Sequence, residues 1–72
     1  MLQYITYNPS IAGGKPIFLG TRIAVSMVLQ YLAEGVSIAT LLEQFPSLNQ
    51  QHIQEAIKLS SLLVDNEQVI YA

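Results

Sequence analysis

Between Val25 and Glu34 the chain carries only three polar residues, Ser26, Gln30 and Glu34, and they recur at every fourth position. At 3.6 residues per turn this spacing draws one narrow polar stripe along a helix. Met27, Val28, Leu29, Tyr31, Leu32 and Ala33 cover the rest of its surface. A helix that is apolar on nearly every side calls for burial on nearly every side. The chain has 72 residues with which to provide it. A domain of this size buries only about 60% of the surface that its unfolded chain exposes. Residues are 51% hydrophobic and only 11% charged, where an ordinary soluble domain carries about 25% charged residues. The surplus of apolar surface predicts cover from a second copy or from another protein.

The flanking segments divide the chain into two kinds of sequence. Residues 1–24 hold three of the four glycines and two of the three prolines. Within them Leu2–Tyr7 reads as a short strand, Gly13-Gly14-Lys15-Pro16 as a loop, and Ile17–Leu19 and Thr21–Ile23 as two short strands meeting near Gly20. Residues 25–64 read as three helices. The first runs from Val25 to Glu34 and is closed by Gly35. The second is capped by Ser37, stapled by Val36 and Leu41, and stopped by Pro46. The third is capped by Asn49, with Leu48 and Ile53 as a second staple and Ile53, Ala56, Ile57, Ser60 and Val64 as its core face, and it ends near Asp65. The tail 65–72 ends in Val69-Ile70-Tyr71, a candidate edge strand. The expectation is one domain, 1–72, mainly α, with short N-terminal strands followed by a trihelical core.

Charge narrows the function. Lys15, Arg22 and Lys58 are the only strong cations, and the formal net charge is −2. Tight, autonomous DNA binding ordinarily needs a basic footprint, because phosphate neutralisation supplies most of its affinity. With no Cys and one His, neither a thiol nucleophile nor a zinc site is expected. Glu34, Glu43 and Glu55 fall on three different helices, with nothing in the sequence to converge them on a magnesium ion. No catalytic residue, metal or cofactor is expected, and any chemistry belongs to a partner. No apolar run approaches the roughly 20 residues of a membrane span, and Met1 is not followed by a basic and then apolar leader. A cytoplasmic location is expected.

The loop Gly13-Gly14-Lys15-Pro16 and the step Gly20-Thr21-Arg22-Ile23, followed by an apolar helix, an EG-V-S break and two more helices, resemble the domain-of-unknown-function family 433 from about Ile5 to Leu63. The resemblance implies a homeodomain-like or winged helix-turn-helix core behind short strands. It further implies an antitoxin-like protein of a type II toxin–antitoxin pair, with a small PIN-like toxin ribonuclease as partner, and operator DNA as a second one.

Particular residues carry competing readings. Gly13, Gly14, Pro16, Gly20, Thr21 and Arg22 form the structural motif. A phosphate loop would need a hydroxyl residue after Lys15 and a helix, and Pro16 and a strand stand there instead. Arg22 either grips a phosphate or a partner carboxylate, or pairs with nearby carbonyls or Glu34 to pin its loop to the first helix. His52 reads as a surface helix residue. Gln50, Gln51, Gln54 and Lys58, with Arg22, are the candidate DNA contacts, since Gln bonds adenine and Lys reaches guanine or phosphate. Glu55 would cancel Lys58 on that face. Met27, Val28, Tyr31, Leu32, Leu59 and Leu62 are the candidate dimer or partner interface. The leading expectation is a small, dimeric, non-enzymatic interaction domain that binds a PIN-like toxin ribonuclease. The rivals are a helix-turn-helix repressor, whose dimer would pool six cations, and a structural subunit of a larger complex.

Overall fold

The computed structural model describes residues 2–66. Two short strands, β1 (Ile5–Tyr7) and β2 (Pro16–Phe18), precede three helices, α1 (Val25–Ala33), α2 (Ile38–Gln44) and α3 (Gln50–Asn66). The protein is mainly helical, with a two-stranded antiparallel sheet in front of a trihelical core. The expected fold class is the observed one. The tail residues Val69-Ile70-Tyr71, read as an edge strand, lie outside the described residues.

The register pairs Ile5 with Phe18, Thr6 with Ile17 and Tyr7 with Pro16. The Leu19 N–H donates to the Tyr4 carbonyl at 2.8 Å. Antiparallel alternation then makes Tyr7–Pro16 a pair that exchanges no backbone bond, so the missing N–H of Pro16 costs the ladder nothing. Between the strands, Ala12, Gly13 and Gly14 take φ of 52°, 65° and 81°. This left-handed turn explains why two glycines stand together there.

The expected strand at Thr21–Ile23 is a bend instead. Only its rim keeps strand character, through the Phe18 N–H donating to the Ile23 carbonyl and an isolated bridge between Ile17 and Ala24. The reason lies in Thr21. Its N–H and its hydroxyl both donate to the Phe18 carbonyl, at 3.0 and 2.8 Å, and its hydroxyl oxygen accepts the Ile23 N–H at 3.0 Å. Gly20 supplies the positive φ of 81° that the turn requires. The Gly-Thr pair therefore closes the turn on itself, and Arg22 is left exposed at its outer side.

The core is one cluster. Ile5 and Phe18 come from the hairpin, Val25 and Val28 from α1, Leu41 from α2, Leu48 from the turn, and Ile53 and Ala56 from α3. On α1, Val25 and Val28 are buried while Leu29 and Leu32 are half-buried. These positions are i, i+3, i+4 and i+7, an ordinary amphipathic stripe. The rod is therefore not wrapped all round: Tyr31 and Ala33 stay at the surface. The helix starts match the expected caps. The Ser37 hydroxyl accepts the Thr40 N–H at 3.1 Å, and the Asn49 side chain accepts the His52 N–H at 3.0 Å.

His52 corrects the sequence reading. It is 7% exposed and completes a reciprocal capping box with Asn49, whose own N–H donates to Nδ1 at 3.1 Å. Its other ring nitrogen, Nε2, faces the Leu19 carbonyl at 3.4 Å. The rings of Tyr4 and Phe18 meet it edge-on at 5.1 and 5.6 Å. Because His52 and Ile53 both face inward, α3 is rotated from the expected register, and Ile57 is 45% exposed rather than in the core. Asn49→Ala removes the cap and should lower unfolding free energy by about 1 kcal/mol. Urea denaturation followed by far-UV circular dichroism checks it; an unchanged midpoint would reject the capping box as a stabilising device.

Candidate interaction surface

The face of α3 that closes the hairpin is built from residues a turn apart. The Glu55 carboxylate accepts the Gln3 N–H at 2.9 Å and the Tyr4 N–H at 2.6 Å. Partial burial pushes its pKa up, but the backbone N–H groups of Gln3, Tyr4 and Ile5 act together in the other direction, and the net displacement is downward. Glu55 is therefore not the free surface charge that the sequence suggested. It fastens the entry of β1 to the helix.

One helical turn further on, Leu59 meets the end of the same strand. The paired residues Tyr7 and Pro16 lie on the face of the sheet that also carries Ile5 and Phe18. They extend past the core and are exposed, Tyr7 at 68%. Leu2, Ile5, Thr6, Tyr7, Pro16 and Leu59 line a cavity of about 490 Å³. A second of about 160 Å³ adjoins it, sharing Pro16 and Leu59 and adding Val25, Ser26, Leu29 and Ser60. The two form a continuous groove between the hairpin, α1 and α3. Its walls are almost wholly apolar, and no charged residue lines it.

The candidate interface residues distribute unequally around this groove. Leu59 lies in it, and Leu62, one turn on, is 45% exposed. Met27 and Leu32 are half-buried, and Tyr31 is at the surface with its ring 6.4 Å from that of Phe45. Val28 has no exposed surface and packs in the core, so it cannot be an interface residue. The helix buries the stripe that its own hairpin reaches, and Val28 is at the centre of that stripe. Leu2, Tyr7 and Leu29 were missed as surface-forming residues. Period-2 alternation could have placed Tyr7 on the same face as Ile5, but the α3 register that leaves it uncovered was not readable.

The candidate nucleic-acid contacts are accessible. Gln50, Gln51, Gln54 and Lys58 are exposed along one side of α3, together with Ile57 and Ser61. Arg22 is exposed on the Gly20–Ile23 turn, which belongs to a different element. Among the described residues no group of His, Cys, Asp and Glu is arranged to hold a metal ion, and no helix is long and apolar enough to cross a membrane.

The family described as "Protein of unknown function (DUF433)" matches residues 5–59, and the chain belongs to it. The matched stretch covers the hairpin, α1, α2 and the part of α3 that reaches Leu59. The uncharacterized protein y4eO of Sinorhizobium fredii (strain NBRC 101917 / NGR234) is 39% identical over 63 residues, which is 88% of this chain and 27% of that relative. The chain thus spans about a quarter of the length of the curated relative it matches. No solved structure matches the chain.

The Glu55 clamp has a pH signature. A carboxylate whose pKa is depressed on folding contributes stability that is present above its unfolded pKa and is lost as pH falls through its folded one. Glu55→Gln should destabilise the protein at pH 7, and the gap to the parent chain should close as pH falls through the carboxylate range. Urea titrations at several pH values between 7 and 3 read it; a gap independent of pH would mean that the charge is not what holds β1.

Proposed function

We propose that this protein is a non-enzymatic interaction domain of the antitoxin kind, which takes an apolar element of a PIN-like ribonuclease into the groove beside Leu59. The observation that carries this reading is the groove itself. It is apolar, uncharged and lined by exposed Leu2 and Tyr7. Patches of this composition on a small domain mark binding surfaces. The family resemblance supplies the nature of the partner, and any hydrolytic chemistry lies in that partner. Tyr7→Asp is the informative substitution, because Tyr7 is mostly exposed and its loss leaves the core intact. It should weaken binding to a PIN-like ribonuclease partner by about tenfold or more, equivalent to about 1.4 kcal/mol. Titration calorimetry and relief of inhibition in an RNA-cleavage assay measure it. Full inhibition by Tyr7→Asp at unchanged affinity would refute the groove as the binding surface.

A second reading is favoured by one specific observation. The Glu55 carboxylate is engaged by the Gln3 and Tyr4 amides, and Lys58 is exposed on the outer side of α3. Gln50, Gln51, Gln54 and Lys58 then present neutral and basic donors suited to base edges and phosphates. In this reading α2 and α3 act as a helix-turn-helix, and a dimer sets two α3 helices about 34 Å apart on operator DNA. Mobility-shift assays with the gene's own upstream DNA at two salt concentrations test it. Lys58→Ala should reduce the salt slope by about one per chain. Absence of a shift at low salt rejects the reading.

A further inference from the structure

We propose that the exposed side of α3 reads A·T base pairs in the major groove of duplex DNA, with Gln54 on adenine and Ile57 against the thymine methyl. The inference rests on the reading of α2 and α3 as a helix-turn-helix, and it names the sequence class which that helix selects.

Placement is the first argument. Gln50, Gln54, Ile57 and Ser61 are exposed and follow one another at steps of four, three and four residues, which draws one line along the helix. From Gln50 to Ser61 that line runs about 16 Å at 1.5 Å per residue, the length of about five base-pair steps of 3.4 Å. Lys58 and Gln51 flank it, about 80° and 100° round the axis from Gln50. Lys58 is the only charged residue exposed between Gln50 and Leu62, so the sign of this side suits a polyanion.

The isoleucine is the second argument. Ile57 is 45% exposed in the middle of a side otherwise made of glutamine, lysine and serine. The core takes Ile53 and Ala56 from this helix, so packing within the chain asks for no apolar residue at Ile57. A single apolar side chain among amide donors matches one feature of the major groove, the thymine methyl, which stands beside polar base edges. Gln54 is three residues before Ile57 and adjoins it on the helix surface. A Gln amide bonds N6 and N7 of adenine together, and adenine is the partner of thymine. The two side chains thus suit the two halves of one kind of base pair.

What this side lacks is the third argument. Guanine is most often read by arginine, and the only Arg of the chain is Arg22, on the Gly20–Ile23 turn. Cytosine is read by a carboxylate, and the Glu55 carboxylate is engaged by the Gln3 and Tyr4 amides. A G·C pair therefore meets neither of those readers here, and Lys58 at the flank is placed for phosphate.

The test uses the full chain. Binding selection from duplexes with a randomised core should return an A·T-rich core. Fluorescence anisotropy then compares the selected duplex with the same duplex carrying deoxyuridine for thymine, which removes only the methyl groups. Uracil should weaken binding about fourfold for each methyl that is buried. Ile57→Ala should bind the thymine duplex about fourfold more weakly and should no longer distinguish it from the uracil duplex. Gln54→Ala should bind about tenfold more weakly and tolerate other bases at one position. A G·C-rich core, or a uracil penalty as large in Ile57→Ala as in the parent chain, overturns the inference and leaves the helix-turn-helix reading standing. Retention of no duplex at low salt overturns both.

Discussion

A two-stranded hairpin is at best marginally stable alone in water, and this protein needs one to close its core. Ile5 and Phe18 supply part of the only buried cluster among the described residues. What holds the hairpin down is the first half of α3. His52 sits between the rings of Tyr4 and Phe18 with Nε2 toward the Leu19 carbonyl. Glu55, three residues on, takes the amides of Gln3 and Tyr4. One polar side chain thus ties the turn after β2, and the other ties the approach to β1. Both strands are registered against one helix by two residues on adjacent helical positions. Phe18 joins Val25, Val28, Leu41, Ile53 and Ala56 of the three helices in that one buried cluster.

The groove follows from where this fastening stops. Leu59 is four residues after Glu55 and therefore stands on the same side of α3, one turn higher. It reaches the sheet at Tyr7 and Pro16, the far end of the ladder from the Glu55 clamp. No charged side chain lines that end to draw the strands onto the helix, and the chain leaves β1 through the Asn8-Pro9 turn. Sheet, α1 and α3 consequently diverge around an apolar hollow. Part of the surplus of apolar residues expected from composition lies in this hollow, and part is exposed elsewhere, at Leu19, Tyr31 and Ile57.

The parts of the fold that local chemistry dictates were legible in the sequence. Ser37, Asn49, Gly35 and Pro46 set helix boundaries through caps and breakers that act within a few residues, and α1 and α2 fall where those residues put them. The trihelical order needed nothing else. The reading of α3 was less secure, because its register depends on a contact across 33 positions of chain, from His52 to Leu19. A lone His after a cap residue looks like a surface residue by composition. It becomes a buried one when its ring satisfies the cap amide and two aromatic rings pack against it. The error then propagates: with His52 turned inward, Ile57 comes out and Glu55 leaves the solvated face. Thr21–Ile23 failed for the opposite reason. Its strand-forming side chains were outcompeted locally by the Thr21 hydroxyl, which offers the backbone a turn instead.

The same rotation of α3 separates the two surfaces of the protein. Turning His52 and Glu55 toward the hairpin leaves Gln50, Gln51, Gln54 and Lys58 together on the outer side. Leu59 is left on the groove side, where apolar contact dominates. Along α3, Gln50, Gln51, Gln54 and Lys58 are exposed on one side, and Leu59 lines the groove on another. Binding at either surface leaves the fastening at His52 and Glu55 in place. Substitutions at the groove and on the outer side of α3 are therefore separable experiments, whereas a substitution at His52 or Glu55 disturbs both surfaces by releasing the hairpin that orients them.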